Sequence, residues 1–376
     1  MKLVSPLLKH VVYPGLSKAG YFHRAGGTGP AVLTYHGVLP EGYKVIDPAL
    51  DGSLVRADSF HRQLSFLRDQ YNVISPEEFL LRCEGQHELP PRSVLLTCDD
   101  GLRNSLFDML PILQEAGLKC LFFVTGASLA NASTMLWYEK LYLMFLAGPE
   151  NFTLDLPEIG LRPYISRKEK RSLWWELVRK LSRYGLDRRG SLLEKIRTQL
   201  GLSQRWDADY RDNPVRNRRF FVLNQAELQQ LAGAGMSIGA HTLSHPMLSQ
   251  SSPDVAWSEI SDSKNNLERA LGTTISALAY PFGDSWSVTS REIEMVEQAG
   301  FQCAFLNGSG AFGTRTPKFA LPRVHVTAEM NLVEFEAHIS GLHRSLQNLF
   351  RPATLSAAAG SNATAVTSYL QKSRII

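Results

Sequence analysis

The chain has 376 residues, with 40 Lys and Arg against 36 Asp and Glu, a net charge of only +4, and 44% hydrophobic residues. That composition excludes a disordered chain, a collagen-like repeat and a disulfide-stapled miniature, and the length leaves ample chain for a full core. The near balance conceals an uneven distribution: residues 161–220 hold 17 basic and 7 acidic side chains, a local net of +10, so the rest of the chain carries −6.

In chain order, the first segment, MKLVSPLLKHVVYPGLSKAG, has a short apolar run that Lys9 and His10 interrupt, which does not read as a signal-peptide core. No stretch approaches the roughly 18 apolar residues of a spanning helix. The expected location is the cytoplasm or the membrane periphery. Cys83, Cys98, Cys120 and Cys303 are widely spaced and read as free buried thiols. Short apolar runs at 31–36, 94–98 and 120–124 predict buried strands. Helical periodicity at 59–70 and 105–116 separates them. After residue 220 the alternation resumes: helix 224–234, strand 236–240, helix 254–271, strand 276–281, helix 288–299, strand 303–307. Strands joined through helix-length connections suit a parallel sheet or a β/α barrel. From about 128 to 220 the pattern is helical and basic, with no convincing strands, and predicts an insertion between consecutive strands. Its helix 166–185 carries Leu173, Trp174, Leu177, Val178 and Leu181 on one face, expected to pack on the barrel while Lys168, Lys170, Arg171, Arg179 and Lys180 are solvated. The same amphipathic pattern leaves open a membrane-surface or polysaccharide-assembly contact through 161–220; no nucleic-acid module accompanies it, so no nucleic acid is expected. The catalytic domain is predicted to span 1–345, followed by a flexible tail at 346–376. GSGAFG (308–313) lacks the strand–turn–helix setting of a dinucleotide loop and reads as a plain loop.

Three segments put metal-competent or polar groups at strand ends. In TCDDG (97–101) an apolar strand runs into two carboxylates whose side chains diverge, so Asp99 and Asp100 can take separate roles. In HTLSHP (241–246) two histidines four apart converge if the segment makes a helical turn. AYPFGD (279–284) ends a strand on an aromatic rim. Two His and one Asp form a facial triad with positions left for water and substrate, which iron(II) oxygenases also use. The second carboxylate favours hydrolysis, since activated water needs a nearby base.

In this order, T-C-D-D-G, H-T-L-S-H-P and A-Y-P-F-G resemble the motifs of the polysaccharide deacetylase family (NodB-homology domain, carbohydrate esterase family 4), and Tyr35-His36-Gly37 resembles its branch with an N-terminal Tyr-His. The likeness covers roughly residues 30–130 and 220–345. It implies a distorted (β/α) barrel of the polysaccharide deacetylase type, with a helical insertion. It further implies a divalent metal ion, zinc first, on Asp100, His241 and His245, with Asp99 as the base. The backbone N–H of Phe282 would stabilise the oxyanion, and Tyr280 and Phe282 would border the substrate. The family's usual Phe is Cys98 here, expected to be a packing change. Its base-tethering Arg is Ala279 here, and Arg323 in LPRVHV is the candidate replacement. His36 is the favoured general acid, with His325 the alternative. The implied reaction is removal of acetyl groups from N-acetylated sugars of a polysaccharide or its lipid-linked precursor. The alternatives are a carbohydrate O-acetyl esterase using the same site and a non-catalytic glycan- or membrane-binding barrel.

Overall fold

The computed structural model describes residues 8–24, 29–127, 129, 134–162, 164–165, 170–284, 286–308 and 316–343. The expected tail at 346–376, Lys168 and most of the loop at 308–313 lie outside them. Among the described residues ten strands are formed: β1 (Ala31–Tyr35), β2 (Asn72–Ile74), β3 (Ser93–Cys98), β4 (Leu121–Val124), β5 (Phe152–Thr153), β6 (Tyr164–Ile165), β7 (Ser237–Ala240), β8 (Ala277–Ala279), β9 (Cys303–Phe305) and β10 (Val324–His325). All but β5 and β6 belong to one eight-stranded parallel sheet in the order β10-β1-β3-β4-β7-β8-β9, with β2 on β3. One segment closes the ring. Its first half exchanges backbone hydrogen bonds with β9 (Leu321 N to Ala304 O, 2.9 Å; Leu306 N to Leu321 O, 2.8 Å), and its second half pairs with β1 (Val326 N to Thr34 O, 3.0 Å). The expected distorted barrel is therefore present.

The strands alternate between two apolar environments, as their period of two demands. Val32, Leu95, Leu121, Phe123, Ala277, Ala279 and Phe305 fill the barrel. Leu33, Leu96, Cys98, Phe122, Val124 and Leu278 face the surrounding helices. Cys98 thus points into the helical layer, with its sulfur 3.8 Å from Ser105 Oγ. Asp99, one residue on, falls on the inward side with Leu95 and Thr97.

Between β4 and β7 the insertion builds its own core from the helices Trp137–Ala147, Lys170–Leu181 and Leu186–Gln199. The predicted Trp/Leu face of the second helix is buried here, in the insertion's core and not against the barrel wall. Two points differ from expectation: β5 and β6 form a small antiparallel pair, and many cations of the basic block meet carboxylates, several of them outside the block. Lys195 pairs with Glu158, Arg197 with Glu194, Arg211 with Asp207, and Arg218 with Asp108. Arg219 is buried between Asp51 (2.7 Å) and Glu139 (2.9 Å), fastening the insertion to the helix Pro48–Asp51. No helix among the described residues is long and apolar enough to cross a membrane.

Near the chain ends, the helix Leu332–Ile339 packs against Tyr13 and Phe22. Its His338 stacks on His343 at 3.7 Å. Burial, with the neighbouring His343 and His325, pushes the His338 pKa down to about 3. Its unfolded value is about 6.5, so the stability it contributes is complete above that pH and is lost as pH falls toward 3, by about 1.4 kcal/mol per unit. Thermal melts from pH 7 to pH 4 should decline accordingly, and His338→Gln should flatten the decline; an unchanged slope in the variant would contradict the linkage.

Candidate metal centre

Three strand ends on the carboxyl side of the barrel bring the motif residues together. β3 delivers Asp99 and Asp100, both buried. Asp100 adopts a left-handed backbone (φ 75°), and Gly101 follows at φ 68°. A side chain at 101 would strike Val124 Cγ1 at 2.8 Å, so the double reversal after Asp100 requires glycine. β7 delivers His241. His245 reaches the same point through a turn in which Thr242 (φ 61°) and His245 (φ 60°) are both left-handed, so the convergence does not come from the expected helical turn. Thr242 Oγ1 accepts the His245 N–H at 3.0 Å, which locks that turn. Together with Phe282 (φ 61°), four of the five non-glycine residues with positive φ among the described residues lie in these loops. Such strain concentrates where a site over-determines its backbone.

Asp100 Oδ1 faces His241 Nε2 at 3.5 Å and His245 Nε2 at 3.3 Å. The three ligand atoms lie within 4.8 Å of one another. Asp100 Oδ1 is buried, and no donor is aligned on it. A cation about 2 Å from tetrahedrally arranged ligands separates them by about 3.3 Å, so the spacing and the orphaned oxygen both fit a divalent ion. His241 Nδ1 lies 2.8 Å from the Ala279 carbonyl, which fixes the proton on that nitrogen and leaves Nε2 as the ligand atom. Burial raises the Asp100 carboxyl, but the facing His241 and His245, with His36 beyond, hold it well below its ordinary range. Burial lowers His245 further than Asp100 can raise it. The ionised Asp100 and neutral His245 are in the states metal ligation needs, whereas at His241 burial is outweighed by Asp99 and Asp100, which raise it.

Asp99 lines the same cleft but is tethered separately from the three-ligand cluster. Its two oxygens accept from Arg323 Nη1 (2.7 Å) and Nη2 (2.6 Å), a bidentate pair inside the barrel. Arg323 is 0% exposed and lies over Phe123 and Phe305 at 5.3 and 5.8 Å. It also donates to Thr97 Oγ1 and the Leu306 carbonyl. Burial raises Asp99, but Arg323, His241 and His36 together hold it below its ordinary value.

The centre floors a cleft of about 360 Å³. His36 and His325 stand side by side in its wall, ring centroids 4.8 Å apart. His36 Nδ1 and His325 Nε2 are buried without a partner. Burial, then His36, lowers His325 to about 3. Tyr280 borders the cleft but is 1% exposed, with its hydroxyl committed to the Phe319 carbonyl at 3.1 Å. It stands in the cleft wall, as expected of a residue bordering a substrate, with its hydroxyl already donating to the main chain. Phe282 lines the cleft against His245 and Tyr138, and its N–H meets no acceptor among the described residues. The insertion also roofs this cleft, which its basic, helical pattern does not reveal. Tyr138 lies over His245 with centroids 4.8 Å apart, Trp174 and Trp175 add two indoles, and Trp175 meets Phe282. Adjacent tryptophans project about 100° apart on a helix, so 174 and 175 do not both fit the centre of one buried stripe. That was the available signal. Asn307, with Oδ1 buried and unpaired at the cleft wall, carried none.

A profile of the polysaccharide deacetylase family matches residues 86–187 and 202–304, more than half of the chain and both halves of the metal-competent cluster. The chain belongs to the polysaccharide deacetylase family. YxkH of Bacillus subtilis, a polysaccharide deacetylase by name, is 27% identical over 120 residues, 32% of this chain and 42% of its own length. The match thus spans less than half of that relative. Among solved structures, the Streptococcus pyogenes deacetylase PplD in complex with acetate superposes with a TM-score of 0.53 at 19% identity, over 83% of this chain and 98% of its own. IcaB from Ammonifex degensii gives 0.50 at 17%, over 84% and 98%. At these identities the likeness is one of fold, and it spans more than four-fifths of this polysaccharide deacetylase family member.

Proposed function

We propose that this chain removes acetyl groups from N-acetylated sugars of a polysaccharide or of its lipid-linked precursor, using a divalent ion, zinc first, held by Asp100, His241 and His245. The observation that carries the reading is the orphaned Asp100 Oδ1 facing two imidazole Nε2 atoms, with a second carboxylate, Asp99, beside it on a separate tether. Bound there, the ion supplies Lewis acidity, making water acidic and polarising a carbonyl. Asp99, kept ionised and aimed by Arg323, takes the proton from the attacking water. The Phe282 N–H is available to the carbonyl oxygen as negative charge builds on it. His36 gives a proton to the departing nitrogen, and the buried His325 beside it stays neutral. The aromatic roof of Tyr138, Trp174 and Trp175 stacks on a sugar ring and keeps bulk water out.

Metal analysis combined with acetate release from a panel of N- and O-acetylated oligosaccharides tests this. The expected result is one equivalent of metal and acetate released from N-acetyl substrates. A metal-loaded protein that releases acetate from none of them would overturn the reading, and release from O-acetyl substrates alone would replace it with the esterase. His36→Ala should retain the metal and lose about 10²–10⁴-fold in turnover on amides, but much less on an O-acetyl ester, whose leaving group needs less protonation.

A further inference from the structure

We infer that Arg189, in the insertion, is a positioning residue for His245: it anchors the left-handed turn that brings this imidazole to the metal centre. The inference rests on the assignment of Asp100, His241 and His245 as ligands and extends it to a residue more than fifty positions from any of them.

Arg189 is 1% exposed and comes from the helix Leu186–Gln199. Its Nη2 donates to Ser244 Oγ and lies 3.5 Å from Glu259 Oε1. Glu259, also buried, accepts the Ser244 N–H on Oε2 at 2.7 Å and the Ser244 hydroxyl on Oε1. The Arg189 guanidinium lies 4.8 Å over the ring of Trp137. Trp137 Nε1 in turn donates to the His245 carbonyl at 3.0 Å. The residue before His245 and the carbonyl of His245 itself are therefore held from two sides, and both holds lead back to Arg189.

Physical chemistry gives this clamp something to do. His245 has φ 60°, a conformation an L-residue holds only when its surroundings over-determine it. Its Nδ1 has no partner to orient the ring, whereas His241 has the Ala279 carbonyl. The usual support for a metal-ligating imidazole, a group on the ring's other nitrogen, is thus missing at His245, and the main chain on either side of it carries the restraint instead. An ion pair buried this deeply does little for net stability, so its presence beside the ligand is better explained by the geometry it imposes.

The test is zinc titration of the metal-free protein, by calorimetry or chelator competition, on the wild type and five variants. Arg189→Met and Trp137→Phe should each weaken zinc binding by about 10- to 100-fold, the cost of losing support behind a ligand. Arg189→Lys, which keeps the charge, should recover part of the loss. Arg189→Met alone strands the Glu259 charge and risks misfolding. The double variant Arg189→Met/Glu259→Met removes both charges, and it should fold yet still bind zinc weakly. Folded Trp137→Phe and double-variant proteins with wild-type zinc affinity would overturn the inference. A wild type that binds no zinc, or a His245→Ala variant that binds it unchanged, would instead remove the ligand assignment on which the inference stands.

Discussion

Asp99→Asn should lower kcat by about 10²–10⁴-fold while the protein retains its metal. The separation of the two adjacent carboxylates is the reason. Asp100 Oδ1 faces the two imidazoles, whereas both oxygens of Asp99 are taken by Arg323. An amide at 99 accepts one of those hydrogen bonds but has no proton affinity to offer attacking water. It also leaves the Arg323 charge without its counter-ion, so a lowered melting temperature accompanies the loss, and metal content is to be read on folded protein. Asp100→Asn is the contrasting variant: there the metal and the activity should disappear together. Near-wild-type turnover with Asn at position 99 would remove the base from this residue.

The parts of this site that were legible in the sequence are the parts local to one strand. An apolar run into TCDDG places Asp99 and Asp100 at a strand end, and a period of two sends Cys98 outward and Asp99 inward. The structure has both. The spacing of strands and helices likewise suits a parallel sheet or a β/α barrel, and the family resemblance implies the barrel. The convergence of His241 and His245 was expected from helical spacing and is made instead by left-handed residues at 242 and 245, because backbone sign at a Thr or a His is imposed by tertiary contacts and leaves no mark in composition. Closure of the barrel by the short segment that pairs with β9 and then β1 was hidden for a related reason. Two-residue strands have no periodicity to detect. The insertion is basic and mostly helical in pattern, but charge says nothing about whether partners exist. Most of its cations turn out to face carboxylates, and Tyr138, Trp174 and Trp175 turn out to face the cleft. The contacts of Tyr138 with His245 and of Trp175 with Phe282 span more than a hundred residues of chain and are properties of the packed molecule.

Arg323→Met should destabilise the protein by about 3–5 kcal/mol and move the acidic limb of the kcat/KM profile to higher pH. The stability term follows from leaving a carboxylate buried without its cation. In the wild type the Asp99 carboxyl sits below its ordinary range because the nearby charges, Arg323 first, outweigh burial. An acid depressed in the fold contributes stability that is present above its unfolded value, about 3.9, and is lost as pH falls through its folded value. Without Arg323, burial acts against a weaker opposition and the folded value rises. Asp99 then ionises only at higher pH, so its basic form is available over a narrower range. Acidification toward that raised value should stabilise the variant, the reverse of the wild-type trend. Arg323→Lys keeps the charge but loses the bidentate geometry, so it should hold the limb near its wild-type position while kcat falls with the lost orientation. Asp99→Leu/Arg323→Met, with neither charge present, should recover most of the stability and none of the activity. A variant that loses stability with its acidic limb unmoved would leave Arg323 as a packing residue and detach it from the proton transfer at Asp99.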